Sequence, residues 1–390
     1  MPEPIIWDED SRFARFSLIG WWDQERLRAA KILVVGAGAL GNEIVKDLAL
    51  FGVGHLALVD TDRVERSNLT RSCLFREADI GRPKVEVLCR EARGLYDGLE
   101  AVGLEASIVH QVGLGWFHWA DLVLAGLDNR EARLAISRAC QLTSRPWVDG
   151  GIDVLAGVVR TFLPGDGPCY ECTLSEADWA ILDQRRACSL LPREERPREP
   201  RVPTTPTTAA IVAGMQCNEA LKLLHGLDGM RGAGLQWEGR SCDSYLVRYR
   251  RDPDCCGHER FHEVIALELS CRTLLGEALE RIRSAVGPSV KIEAPRELVG
   301  GLRCGICGLE RPVRAALDAL HAELALCPAC GRPCIPLLYH ALDSAPADLS
   351  LAELGIPPLD VLRVHQGDRL LGVLLAQDRD TWFHRVGVNG

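Results

Sequence analysis

The chain has 390 residues, with 45 Lys plus Arg against 54 Asp plus Glu and a formal net charge of -9. That length gives two or three domains and a sizeable core, and the acidic balance excludes a nucleic-acid binder held by bulk charge. No apolar run approaches the ~20 residues of a membrane span, and no basic-then-apolar leader opens the sequence, so a cytoplasmic protein with reduced thiols is expected.

Residues 1–30 form a charged, aromatic lead-in with helical character. From 31 onward short apolar runs alternate with amphipathic ones. Strands are predicted at 32–38, 55–62, 105–112 and 120–128, and helices at 42–52, 82–96 and 130–142. Strands alternating with crossover helices imply an α/β fold, a Rossmann-like doubly wound and mostly parallel sheet, with ligands beyond the carboxyl ends of the strands. The Pro-, Arg- and Glu-rich stretch 185–207 breaks the pattern and is expected to be an exposed crossing loop. A helix follows at 209–226, closed by Gly226. The character changes near 257, and 258–390 read as a small α+β region carrying a cysteine-paired knuckle.

Gly36, Gly38 and Gly41 make GxGxxG between a strand and a helix. Such a loop lets backbone approach a phosphate at a helix N-terminus. Asp60 and Asp62 end the next strand 19 and 21 residues past Gly41, where an acid can accept ribose hydroxyls. The glycines alone leave NAD, FAD and ATP open. Asn68, Arg71 and Lys84 follow on loops near the same strand end. Cations there suit the charge that develops on a triphosphate better than a dinucleotide oxidoreductase does. Asp128 ends a later strand at the same edge, where a carboxylate can hold Mg²⁺.

The 16 cysteines cluster in pairs. Cys169 and Cys172 form one CxxC, and Cys255-Cys256-Gly257-His258 supplies a second half, favouring Cys169, Cys172, Cys255 and His258 as a tetrahedral Zn²⁺ site. Cys256 is an alternative ligand to Cys255 or His258. The pair Cys304 and Cys307 is separated by 19 intervening residues from the pair Cys327 and Cys330, which is zinc-ribbon spacing, with Cys334 as a spare. Four protein ligands per site mean structural zinc at both. Cys188 follows Arg185 and Arg186, a setting that raises the thiolate fraction. Cys73, Cys89, Cys140, Cys217 and Cys271 read as core thiols.

The runs VVGAGALGNE, DTDRVERSNLTR, IGRPK and GLDN, in that order across residues 12–258, resemble the ThiF/MoeB/HesA superfamily of enzymes that activate ubiquitin-like and sulfur-carrier proteins. The resemblance implies ATP-dependent adenylation of a partner's C-terminal glycine. On matching positions Asp62 would bind ribose, Asn68, Arg71 and Lys84 the phosphates, and Asp128 the Mg²⁺. RFARF resembles the superfamily's N-terminal RYxRQ element, so Arg15 would reach the site of the other subunit in a homodimer. Ser72 and Phe16 stand where glutamines are usual, and neither change removes a charge. The crossing loop carries the superfamily's thioester cysteine, which by position is Cys188, and transfer to a conjugating enzyme would follow. Sulfur-carrier activation of the thiamine or molybdopterin type is the nearest alternative. A nicotinamide or flavin oxidoreductase is the next.

Overall fold

The computed structural model describes residues 10–165, 167–188, 203–320 and 322–379, with backbone alone at 183–188 and 322. The lead-in is a short turn of 3₁₀ helix, Ala14–Leu18, and then α1 (Gln24–Ala29), whose first amides donate to the Asp23 carboxylate. Strand β1 (Lys31–Val35) is buried on both faces, as KILVV requires, and runs into α2 (Ala39–Phe51). Gly52 closes α2 in the left-handed conformation, φ 77°. There follow β2 (His55–Asp60), α3 (Lys84–Leu95), β3 (Glu100–Glu105), α4 (Leu114–Trp119), β4 (Leu122–Gly126) and α5 (Arg130–Thr143).

The chain continues through β5 (Trp147–Asp153), β6 (Ala156–Phe162), α6 (Glu176–Cys188), α7 (Pro206–Leu224), β7 (Ala233–Glu238) and β8 (Asp243–Arg248). One eight-stranded sheet has the order β3-β2-β1-β4-β5-β6-β7-β8. It is parallel from β3 to β5 and antiparallel from β5 to β8. Helices α2, α3 and α7 cover one face around Leu40, Ile44 and Val212, while α4 and α5 cover the other around Trp116, Phe117 and Ile136.

Two expectations need correction. Residues 107–112 are not a strand: β3 lies earlier, at Glu100–Glu105. Ile108 and Val112 are apolar because they are packed in the core beneath the C-terminal region. The crossing loop is also shorter than 185–207. Helix α6 continues through Cys188, and α7 begins at Pro206, whose first turn is capped by Thr205 accepting from the Thr208 amide at 3.2 Å. Residues 189–202 lie outside the described residues.

After residue 257 the chain builds two smaller sheets. Strands β9 (Glu263–Leu267) and β10 (Lys291–Glu293) flank α8 (Leu275–Val286). Strands β11 (Leu298–Cys304), β12 (Glu310–Ala316) and β13 (Cys334–Tyr339) form a three-stranded antiparallel ribbon. Strands β14 (Val361–Gln366) and β15 (Arg369–Leu375) return to complete a four-stranded sheet, β10-β14-β15-β9. This sheet packs on α4: Leu359, Val361 and Leu374 share a core with Leu114 and Phe117. Asp360, fully buried, accepts from the Leu114 amide at 2.8 Å and pairs with Arg296 at 3.0 Å. Among the described residues no helix is long and apolar enough to cross a membrane.

Candidate functional site

Strands β2, β1 and β4 are hydrogen-bonded neighbours, so the segments that follow them meet at one edge of the sheet. The glycine loop follows β1. Gly36 has φ 96°, and a Cβ on it would collide with the Gly126 carbonyl at the end of β4. A Cβ on Gly41 would collide with the Gly36 carbonyl. The loop is therefore pressed against β4 and against its own helix, and only glycine fits either position. Gly38 is the N-cap of α2 and, having no side chain, offers no capping hydrogen bond to the helix's first amides.

Asp60 is turned back onto this loop. Its Oδ2 accepts from the Ala37 amide at 2.6 Å and its Oδ1 from the Asp62 amide at 2.7 Å. Burial pushes this carboxyl above its ordinary range, against the opposing pull of Lys84 and the two amides. Asp60 thus shapes the loop, whereas the Asp62 side chain is 65% exposed and lies 2.7 Å from Lys84 Nζ. Asn42, fully buried, was missed in the sequence. Its Nδ2 donates to the carbonyls of Ala37 (3.1 Å) and Gly38 (3.0 Å), and its Oδ1 accepts from the Leu74 amide at 3.1 Å. It ties the glycine loop to the segment that carries Arg71.

In that segment, the Asn68 side chain accepts from the Glu65 amide at 2.9 Å, and Arg71 donates to the Ser67 carbonyl at 2.7 Å. Cys73 is exposed rather than a core thiol. Partial desolvation of its sulfur, which the rest of the residue does not share, and the neighbouring Glu43 carboxylate push the thiol up to about 11. Cys89, Cys140, Cys217 and Cys271 are buried. Arg15 is exposed on the 3₁₀ turn.

Asp128 is exposed two residues beyond β4. Asn129 caps α5, its Oδ1 accepting from the Ala132 amide at 2.8 Å, and its Nδ2 donates to Asp128 Oδ1 at 3.3 Å. One exposed carboxylate at this sheet edge is compatible with the way Mg²⁺ is usually held, by one or two carboxylates and a substrate's phosphates. Beneath Asp128 lies an ion network that the sequence did not reveal. Asp149 on β5 is fully buried between Arg133 and Arg160. The available signal was an acid directly after the apolar pair Trp147–Val148, because a carboxylate buried with them must find cations. Residues 10–255 match the model of the ThiF family.

The chain belongs to the ThiF family. This ThiF-family chain is 34% identical over 263 residues to the SAMP-activating enzyme E1 of Haloferax volcanii, covering 64% of itself and 88% of that protein. It is 30% identical over 262 residues to the sulfur carrier protein adenylyltransferase of Thermus thermophilus, covering 65% and 92%. A crystal structure of Escherichia coli MccB with ATP shares the fold, with TM-score 0.53 and 22% identity over 65% of this chain and 75% of that one. Membership in these E1-like adenylyltransferases sets aside the oxidoreductase alternative.

Two cysteine clusters flank the ThiF region's end and the ribbon. Cys169 Sγ lies 3.7 Å from Cys172 Sγ and 3.6 Å from Cys255 Sγ, and His258 Nε2 lies 3.1 Å from Cys172 Sγ. Zinc–sulfur bonds of ~2.3 Å at tetrahedral angles place sulfurs about 3.8 Å apart, so the set fits zinc. Cys256 is exposed and lies outside this group of four. Arg138 on α5 grips Glu171, inside the first CxxC, at 2.8 and 3.1 Å. In the ribbon, Cys304–Cys330 and Cys307–Cys327 sulfurs lie 3.5 and 3.6 Å apart. Cys334 is buried beside them but outside the group of four. Cys188 ends α6, and its side chain lies outside the described residues.

Proposed function

We propose that this chain adenylates the C-terminal glycine of a ubiquitin-like protein with ATP and then takes it as a thioester on Cys188. The observation that carries this reading is the meeting of the glycine loop, the Asp62–Lys84 pair and Asp128 at one sheet edge in a ThiF-family chain.

The amides opening α2 receive the phosphates, and Asp62 accepts a ribose hydroxyl. Asn68, Arg71 and Lys84 donate to the triphosphate oxygens, joined by Arg15 from a second copy in a homodimer. Asp128 would hold Mg²⁺, which neutralises charge on those oxygens when bound. The partner's C-terminal carboxylate is already ionised and needs no general base. It attacks the α-phosphorus in line, an acyl–phosphate bond forms, and the bond to pyrophosphate breaks. These residues therefore work by positioning and by electrostatic stabilisation. The Cys188 thiolate then attacks the acyl carbon, AMP leaves, and a conjugating enzyme receives the acyl group. Both cysteine clusters hold structural zinc, and the protein works in the cytoplasm.

A second reading, activation of a sulfur carrier, is favoured by the match to 92% of the Thermus thermophilus adenylyltransferase. The test uses ATP–pyrophosphate exchange with a small partner ending in Gly-Gly. Exchange that requires the partner and falls ~10²-fold or more in Asp128→Ala supports adenylation. Wild-type exchange in that variant removes Asp128 from the mechanism, and calorimetry without ATP uptake overturns the reading. A partner adduct that disappears with reductant and in Cys188→Ala selects the thioester route, and thiocarboxylate formation selects the sulfur route.

A further inference from the structure

Arg133 lies on α5, one turn past the Asn129 cap, and its guanidinium reaches three places at once. Nε donates to Asp149 Oδ1 at 2.7 Å. Nη2 donates to the Leu127 carbonyl at 2.6 Å and to the Gly150 carbonyl at 3.0 Å. Leu127 is the residue before Asp128. The other carboxylate oxygen of Asp149 accepts from Arg160 Nε at 2.9 Å. The β5–β6 register sets Arg160 directly opposite Asp149. The anchor is thus fixed within the sheet by its cross-strand partner Arg160, and Arg133 carries that fixity from α5 to the loop after β4.

A planar fork can bridge a carboxylate and two carbonyls, and a lysine ammonium on a flexible stem cannot hold that geometry. Nor does stability alone account for the arrangement. Two guanidinium groups and a carboxylate removed from water contribute little net stability compared with apolar residues of the same volume. What the network does supply is a fixed height for the Leu127–Asp128 backbone.

We propose that Arg133, anchored on Asp149, is a positioning residue that sets the Asp128 carboxylate for a divalent cation. This rests on the reading of Asp128 as the Mg²⁺-holding group.

The test is Mg²⁺ titration of partner-dependent ATP–pyrophosphate exchange in the full chain, comparing wild type, Arg133→Lys, Asp149→Asn and Asp128→Asn. Thermal melts and zinc content report on the fold. Arg133→Lys is expected to raise the Mg²⁺ midpoint about 10- to 100-fold, the range seen when groups orienting a metal ligand are lost. Saturating Mg²⁺ should restore much of the rate, and the KM for the protein partner should not move. Asp149→Asn, which keeps shape and an acceptor, should shift the midpoint in the same direction by less. A purely structural role would lower the amount of active enzyme without moving the midpoint. Folded variants with an unmoved midpoint, alongside a shifted Asp128→Asn, overturn the proposal. So does failure of both variants to fold, because the network would then serve only the core. An unshifted Asp128→Asn instead overturns the reading of Asp128.

Discussion

Lys84 Nζ lies 2.7 Å from Asp62 Oδ2, joining the first residue of α3 to the acid just beyond β2. The Lys84 side chain is 9% exposed and that of Asp62 is 65% exposed. The ammonium is therefore held at the edge by a partner that still faces solvent. The Lys84 amide also donates to the Asp62 carbonyl at 3.0 Å, so the turn keeps its shape without the side chain. Lys84→Ala is expected to cost about 1 kcal/mol or less in a denaturant titration, because the Asp62 carboxylate left behind is still solvated. The same variant should lose ~10²-fold in pyrophosphate exchange, as removal of one charge-stabilising donor does.

Asn42 gives the opposite balance. Its three hydrogen bonds are internal, and Asn42→Leu leaves the Ala37 and Gly38 carbonyls and the Leu74 amide short of a partner. Unsatisfied buried groups cost about 1–3 kcal/mol. The glycine loop and the Arg71 segment lose their shared staple, so KM for ATP should rise more than kcat falls. Chemical denaturation and a kcat-against-KM comparison check the two halves separately.

What could be read from the sequence followed the range of the interactions. Strands β1, β2 and β4 announce themselves as continuous apolar runs because both of their faces are covered. The glycine loop was legible because its spacing is a local backbone requirement. Strands β5 to β8 were not predicted. From β5 onward the pairing turns antiparallel, and these strands are interrupted by Gly and polar residues and partly exposed towards the β8 edge. Asp149 and its partners became visible only with that pairing, since Arg133 and Arg160 lie 16 and 11 residues away. The cysteine pairs gave both clusters, but only the fold separates Cys255, which points inward, from Cys256, which does not. Residues 107–112 misled because their apolar side chains serve an interface with the C-terminal sheet.

Asp149 also makes stability depend on pH. Burial alone would push its carboxyl up, and the two arginines beside it reverse this and hold it below the usual carboxylate value. A carboxyl depressed in the folded state binds protons more readily in the unfolded chain. Its contribution is therefore complete above the unfolded value of ~3.9 and is lost as pH falls through the lower folded value. Asp149→Asn should flatten the acid limb of a stability-against-pH curve below about pH 4, relative to wild type. An identical acid limb in both proteins would show that other carboxylates dominate there.

The first cysteine cluster makes a residue-by-residue prediction about metal content. The Gly257 amide donates to Cys255 Sγ at 3.4 Å and the Asp252 amide to Cys172 Sγ at 3.4 Å, so backbone amides orient two of the four sulfur and nitrogen donors. Cys255→Ser removes a sulfur from the set of four, and one of the two expected zinc equivalents should be lost on mild chelation. Cys256→Ser changes an exposed side chain outside that set and should keep both. Glu171, between the first two ligands, is held by Arg138 on α5, the helix whose N-terminus Asn129 caps beside Asp128. Loss of a zinc held there should therefore lower the melting temperature and, through α5, also weaken pyrophosphate exchange. Elemental analysis with a melt and an exchange assay on both serine variants checks this, and zinc loss in Cys256→Ser alone would reassign the ligand.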